Sequence, residues 1–245
     1  IEEIATSFNI MVKELSNTET LRNDFISNVS HEFKTPLSAI EGYATLLQDE
    51  RLSKEEQATY ISRILENTSR LSKLTQSILS LSKLENQEIV LQQESFMLDE
   101  QIRRVLLSYE PLWEEKELNI DLALEATQIY GSKSLLAQVW SNLIDNAIKF
   151  SRPGGTLSIS CGVFDGRIVV RIRDTGVGMS EEVRKHAFDK FYQGERSHSG
   201  QGSGLGLALV QRIVSLSGGC VDLQSREGKG TEITVSLKNE QEMPA

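Results

Sequence analysis

Cysteine is almost missing from this chain: there are two, Cys161 and Cys220, both inside apolar, strand-like runs. That rules against a disulfide-stapled scaffold or a cysteine-built metal centre and reads as two buried thiols in a reducing compartment. Long apolar stretches are missing too. No run approaches the 18 or so residues a membrane-spanning helix needs, and no secretory signal precedes the first structured segment. Basic residues do not dominate, since 26 Lys and Arg face 35 Asp and Glu for a net charge of −9. A polyanion such as DNA is therefore disfavoured as principal partner, although a local basic patch can still hold phosphates. No initiating Met is present, and Ile4, Phe8, Met11 and Leu15 open the chain at helical spacing. A truncated amphipathic helix of this kind reads as part of a longer chain.

What remains is an ordinary globular composition, 39% apolar and 25% charged over 245 residues, enough for one large domain or two modest ones. Residues 1–85 read as nearly pure helix. A first helix runs to about Gln48, and Ser53 with Glu56 forms a capping box for a second. The second carries Ile61, Ile64, Leu65, Leu71, Leu74, Ile78, Leu79 and Leu81 as one apolar stripe. A two-helix hairpin cannot bury such a stripe alone, and pairing with a second copy into a four-helix bundle is the simplest remedy. Beyond a linker near 86–88 the pattern changes. Strands are expected near 89–96, 118–124, 156–163, 167–173, 219–225 and 231–237, and helices at 99–114, 132–150 and 205–217. Asp165-Gly166 reads as a hairpin turn, and Gly228 to Gly230 as another. The expected fold is thus a helical hairpin forming a dimeric four-helix bundle, then a two-layer α+β domain with helices on one mixed sheet. A polar tail, 239–245, closes the chain.

Four short segments carry the chemistry: SHEFKTP at 30–36, NLIDNAIKF at 142–150, DTGVGM at 174–179 and GQGSGLGL at 200–207. In the first, Phe25, Val29, Phe33, Leu37 and Ile40 mark an apolar face, and His31 is turned away from it. Thr35 shares the face of His31, Glu32 lies beside it, and Pro36 frees the carbonyl of Glu32 and should bend the helix. An exposed imidazole next to a carboxylate can keep one ring nitrogen protonated while the other acts as nucleophile. In the second, Asn142, Asn146 and Lys149 line one helix at i, i+4 and i+7. Asparagine is a poor helix former, so the pair wants a reason, and an amide oxygen on Mg²⁺ with a lysine on a phosphate supplies one. In the third, Asp174 ends an apolar strand, where its carboxylate can accept from an exocyclic amine and so favour adenine. Gly176 and Gly178 permit close approach of a planar ring. In the fourth, a glycine cluster feeds an apolar helix whose N-terminus offers free N–H groups to an anion, but no GK[ST] follows, so it is not a P-loop.

The HExxTP order and the three later segments resemble bacterial two-component sensor histidine kinases, and the likeness covers nearly the whole chain. It implies an end of a HAMP-like linker at 1–20, a dimerisation and histidine-phosphotransfer domain at 21–85, and an ATP-binding domain of the gyrase and chaperone type at 89–238. By that resemblance His31 is autophosphorylated, Glu32 is its base, and Thr35 positions water for dephosphorylating a response regulator. Asn146 ligates Mg²⁺ with Asn142 upstream, Phe150 packs near adenine, and Asp174 binds the adenine amino group. Gly202, Gly204, Leu205 and Gly206 hold the phosphate side under a lid from Met179 to Ser203. FDKFY at 188–192 resembles the family's aromatic box, with Phe188 and Phe191 as anchors and Lys190 as a phosphate contact. Relatives often carry Arg where this chain has Gln193, a role Arg196 can assume, while His186 and His198 read as surface residues. Ser132 stands where relatives often place Asp, and is expected to cap its helix equally well. Family knowledge further implies a homodimer, an aspartate on a response-regulator receiver domain as the next acceptor, and a membrane-anchored full-length protein with this portion in the cytoplasm. The rival readings are a machine run mainly as regulator phosphatase and a non-catalytic dimeric scaffold.

Overall fold

The computed structural model describes residues 26–86, 92–194 and 202–239. The linker-like opening at 1–20 and most of the polar tail lie outside the described residues, as do Phe25, Arg196 and His198. The chain divides into two compact units, Ile1–Gln76 and Ser77–Ala245.

The first unit is built from helix α1, described over 26–46, and most of α2, Lys54–Glu85. The capping box forms as the sequence requires: the Ser53 N–H donates to Glu56 Oε2 at 2.9 Å, and the Glu56 N–H donates to Ser53 Oγ at 3.2 Å. Between the helices Arg51 folds back on Asp49, and the Tyr43 and Tyr60 rings meet at 5.7 Å. The α-helical pattern continues through Pro36, so the proline does not break α1. Within this single copy the apolar stripe is covered only in part: Leu74 is buried, Ile64, Leu71 and Ile78 are half-buried, and Leu79 is exposed. Leu37 and Ile61 are exposed, and Leu65 is 64% exposed.

In the second unit the last turns of α2 are part of the core, with Leu81 at 2% and Leu84 at 1% exposure. A small antiparallel ribbon pairs β1 (Glu94–Met97) with β3 (Gln128–Gly131). The main sheet runs β2 (Asn119–Leu124), β4 (Thr156–Phe164), β5 (Arg167–Asp174), β7 (Gly230–Lys238), β6 (Cys220–Arg226). Only β2–β4 is parallel; the other pairs are antiparallel. Helices α5 (Lys133–Phe150) and α7 (Gly206–Leu216) pack against each other and on the sheet, with α3 (Leu98–Leu107) beside α5 and the short α6 (Glu181–Lys185) against β6. The β4–β5 turn has φ of 49° at Asp165 and 74° at Gly166, the mirror-image turn whose twist suits a hairpin. Trp140 is fully buried, and its Nε1 donates to Gln101 Oε1 at 3.0 Å while Gln101 Nε2 donates to the Lys133 carbonyl at 2.7 Å.

Four expectations need correction. The single helix at 99–114 is two, α3 and α4 (Glu110–Glu115), because Pro111 has no N–H for the Leu107 carbonyl and instead occupies the first turn of a new helix. Strand β3 was not foreseen; four residues are too few to display alternation. Ser132 precedes α5 but makes no side-chain cap, its hydroxyl facing Ser134 Oγ at 3.5 Å. Cys161 is buried on central β4, where burial pushes its thiol up to about 11, but Cys220 begins the edge strand β6 and is exposed.

Candidate nucleotide site and phospho-acceptor helix

Three elements converge at one end of the sheet. Helix α5 presents Asn142, Asn146 and Lys149 toward the start of α7. A Cβ on Gly206 would stand 2.9 Å from Asn142 Oδ1 and 3.9 Å from Asn146 Nδ2, and one on Gly202 would stand 2.8 Å from Lys149 Nζ. The absence of side chains at these two positions lets the glycine loop lie against the polar face of α5. Asn142 is oriented by its own helix, its Nδ2 donating to the Gln138 carbonyl at 2.8 Å, which leaves Oδ1 on the side of Gly206. Lys149 Nζ lies 4.6 Å from the centroid of the Phe150 ring, close enough for a cation–π contact.

The loop after β5 is locked by close backbone approach. A Cβ on Gly176 would come within 2.1 Å of the Phe150 carbonyl oxygen, and one on Gly178, at φ +64°, within 2.0 Å of the Arg226 oxygen. No side chain fits either place. The Val177 N–H donates to the Phe150 carbonyl at 3.1 Å, the Gly228 N–H to the Val177 carbonyl at 2.7 Å, and the Met179 N–H to Ser225 Oγ at 2.9 Å. The β6–β7 turn therefore supports the loop from below. Asp174 is 5% exposed, and its Oδ1 accepts the Gly176 N–H at 2.8 Å. Burial raises its pKa above the ordinary carboxylate value, with backbone N–H groups of Gly176, Thr231 and Asp174 opposing.

The glycine segment is held by the aromatic box. The Phe191 N–H, at φ +63°, donates to the Gly204 carbonyl at 2.9 Å, and Gln193 Nε2 donates to the Gly202 carbonyl at 2.9 Å. Leu205 is fully buried, so its side chain anchors the loop and only its backbone is available to a phosphate. Lys190 pairs with Glu85 and lines a cavity of about 500 Å³ with Leu81, Phe188 and the Ala208, Arg212 and Ser215 face of α7. His186 is an exposed residue bonded to Asp189 at 2.7 Å.

On α1, His31 is exposed, as its place off the apolar stripe implies. Thr35 Oγ1 donates to the His31 carbonyl at 3.3 Å, and Glu32 Oε2 accepts from Arg70 of α2 at 3.2 Å. Arg70 was invisible in the sequence because it lies 38 residues from Glu32 and reads as one more charge on a solvated helix face. Lys116 escaped notice in the same way, inside the polar run EEKEL. Its Nζ donates to the carbonyls of Ile148, Lys149 and Ser151 at the end of α5.

Residues 21–87 match the His Kinase A (phospho-acceptor) domain, and residues 131–241 match the histidine kinase-, DNA gyrase B- and HSP90-like ATPase. The heme sensor protein HssS of Staphylococcus saprophyticus is 33% identical over 231 residues, covering 94% of this chain and 50% of that protein. The structure of the Acinetobacter baumannii histidine kinase AdeS is similar with a TM-score of 0.72 at 27% identity, covering 86% of this chain and 98% of that one. Histidine kinase ThkA, in complex with the response regulator protein TrrA, shares the fold at a TM-score of 0.75 and 23% identity, over 91% of this chain and 64% of that one. The chain spans about half the length, or less, of the curated relatives it matches. With its phospho-acceptor helix, its ATPase-type pocket and these matches in the same order along the sequence, the chain belongs to the bacterial sensor histidine kinases and carries their catalytic core.

Proposed function

We propose that this chain moves the γ-phosphoryl group of ATP to His31 and from there to an aspartate of a response-regulator receiver domain. The observation that carries the reading is the convergence of Asn142, Asn146, Lys149, the glycine loop and buried Asp174 on one surface, in a chain that also holds an exposed His31 beside Glu32. In the first step a ring nitrogen of His31 bonds to the γ-phosphorus and the bond to the bridging oxygen breaks, its electron pair leaving on ADP. The imidazole proton passes to Glu32. Arg70 takes Oε2 of that carboxylate, and a carboxylate has acceptor capacity to spare for the imidazole. In the second step the N–P bond breaks as an aspartate oxygen bonds to phosphorus.

Asp174 accepts the adenine amino group, and Phe150 packs near the base. Gly176 and Gly178, whose faces are taken by the Phe150 and Arg226 carbonyls, hold the Asp174 loop in place rather than receiving the base themselves. Lys149 and the N–H groups at the start of α7 face the phosphates. The amide oxygen of Asn146 is a hard donor beside that anion site and fits Mg²⁺ as a partial ligand completed by phosphate and water, with Asn142 upstream near the phosphates or their water. When bound, the ion would offset phosphate charge in the transition state. Lys190 reaches a phosphate only once it leaves Glu85. The exposed apolar stripe on α1 and α2 is covered by a second copy in a homodimer. No helix among the described residues is long and apolar enough to cross a membrane. The curated relatives are about twice this length or more, and we assign a membrane anchor to that additional length. Thr35, one turn beyond His31, supports a second activity on the same helix: orienting water to dephosphorylate the regulator.

The test is incubation with γ-labelled ATP. The parent should acquire label that is acid-labile and alkali-stable, as an imidazole N–P bond requires. H31A should bind ATP but take no label, and E32Q should label about 10²–10⁴-fold more slowly. Acid-stable label on Ser or Thr would sink the reading.

A further inference from the structure

A helix that ends inside a protein leaves its last four carbonyls without intrahelical donors, and something must satisfy them. Helix α5 solves this without the glycine usually found past a helix end. The Ala147 carbonyl receives the Ser151 N–H at 3.0 Å and Ser151 Oγ at 2.7 Å. The Ile148 and Lys149 carbonyls receive Lys116 Nζ at 2.8 and 2.7 Å, and Nζ also reaches the Ser151 carbonyl at 3.2 Å. The remaining carbonyl, Phe150, receives the Val177 N–H from the loop that follows Asp174. An ammonium has three donors, and here all three carbonyls on either side of Phe150 are its acceptors.

The main chain of Lys116 grips the same segment. Its carbonyl accepts the Gly154 N–H at 2.9 Å, three residues beyond Ser151. Lys116 thus holds residues 148–154 from one side, with its side chain at the helix end and its backbone at the following turn. A cation at this end also opposes the negative end of the helix dipole. The segment it holds carries Lys149 and Phe150, and its central carbonyl is the anchor for the Asp174–Gly178 loop.

We propose that Lys116 is a positioning residue of the nucleotide site: it fixes the Phe150 carbonyl where Val177 and Gly176 need it, and so sets the distance between Asp174 and the Lys149–Phe150 side chains. This rests on the reading above that this surface holds ATP. Lys116 itself touches no nucleotide. Its loss lets the end of α5 and the Asp174 loop drift apart, so a nucleotide can no longer meet both at once and binds more weakly.

The experiment uses the whole 245-residue chain, with ATP affinity from calorimetry, KM and kcat from autophosphorylation, and Tm for each variant. Lys116→Met keeps the stem and removes the donors. It should raise the Kd and KM for ATP about tenfold or more, with kcat at saturating ATP within about twofold. Lys116→Arg keeps the charge, but a planar fork cannot put three N–H groups on carbonyls that converge on one atom, so affinity should stay several-fold below the parent. Gln101→Leu is the comparator, since it unties the opposite end of α5 at Lys133 and should lower Tm without a matching rise in Kd. Parent-like Kd in K116M, or an equal rise in Q101L, overturns the proposal. If K116M does not fold, K116R decides, and a parent-like Kd there overturns it. Parent-like ATP binding by D174N instead overturns the pocket reading itself. Loss in D174N beside parent-like K116M removes only the role given to Lys116.

Discussion

At the scale of the residue, Asp174 shows how burial and hydrogen bonding set one group against itself. Burial holds its pKa above the ordinary 3.8, so the folded state binds this proton more tightly than the unfolded chain does. The stability linked to that proton is fully present below about 3.8 and is lost as pH rises through the raised folded value. Asp174→Asn cannot ionise, and its Oδ1 can still accept the Gly176 N–H. Thermal melts should therefore find the variant level with the parent in acid and equal or more stable at neutral pH. Its Nδ2 would confront the adenine amino group donor to donor, and ATP binding should weaken by about a hundredfold or more. A variant that melts early, or binds ATP as the parent does, contradicts this account. Thr35→Ala loses only a hydroxyl bonded to the His31 carbonyl, so autophosphorylation should survive while dephosphorylation of the regulator falls. Comparing label uptake with decay of a phosphorylated regulator separates the two.

At the scale of the element, the caps and turns that sequence rules name directly are present. The Ser53–Glu56 box starts α2, and the Asp165-Gly166 turn joins β4 to β5. Hydrogen bonds from the Ser53 N–H and hydroxyl hold the Glu56 carboxyl below the usual carboxylate range. A depressed folded value means that its contribution is present above the unfolded value and is lost as pH falls through the folded one. Glu56→Gln should flatten the acid-side loss of α2 helicity in circular dichroism, and an unchanged acid limb would show that the box contributes nothing. The cap expected at the start of α5 does not form: Ser132 has the right side chain, but its hydroxyl faces Ser134. Position in the chain told which residue could cap, and local packing chose otherwise.

At the scale of the whole molecule, the apolar stripes separate two kinds of burial. Leu65 is exposed in the single copy, whereas Leu81 and Leu84 are sealed within the second unit. Leu65→Asp should leave each chain folded but convert dimers to monomers in light scattering, because a carboxylate cannot be buried at a bundle centre without large cost. Persistent dimers would move the interface elsewhere. The second unit begins at Ser77, ahead of the linker where composition changes. A fragment starting at residue 77 should outlast one starting at 89, which lacks Leu81, Leu84 and the Leu84 carbonyl that accepts from Arg212 at 2.9 Å. Two leucines at about 1.5–3 kcal/mol each suggest a Tm lower by roughly 6–24 °C for the shorter fragment.

The helical hairpin, the α+β order, and the segments carrying His31, Asn142, Asn146, Lys149 and Asp174 are legible in the residues alone, because periodicity, turn chemistry and short motifs are local properties of the chain. So is the exposure of His31, since helical geometry places it off the apolar stripe. How those segments are held depends on contacts between residues far apart in the chain. Arg70 reaches Glu32 across 38 residues, Lys190 meets Glu85 across 105, and Lys116 reaches the end of α5 across more than thirty. Arg70 and Lys116 read in sequence as ordinary solvated charges, and Lys190 reads as a phosphate contact rather than as a partner of Glu85. A long side chain acquires a role only when folding brings an unpaired carbonyl or carboxylate within hydrogen-bond reach, and no local pattern records that distance.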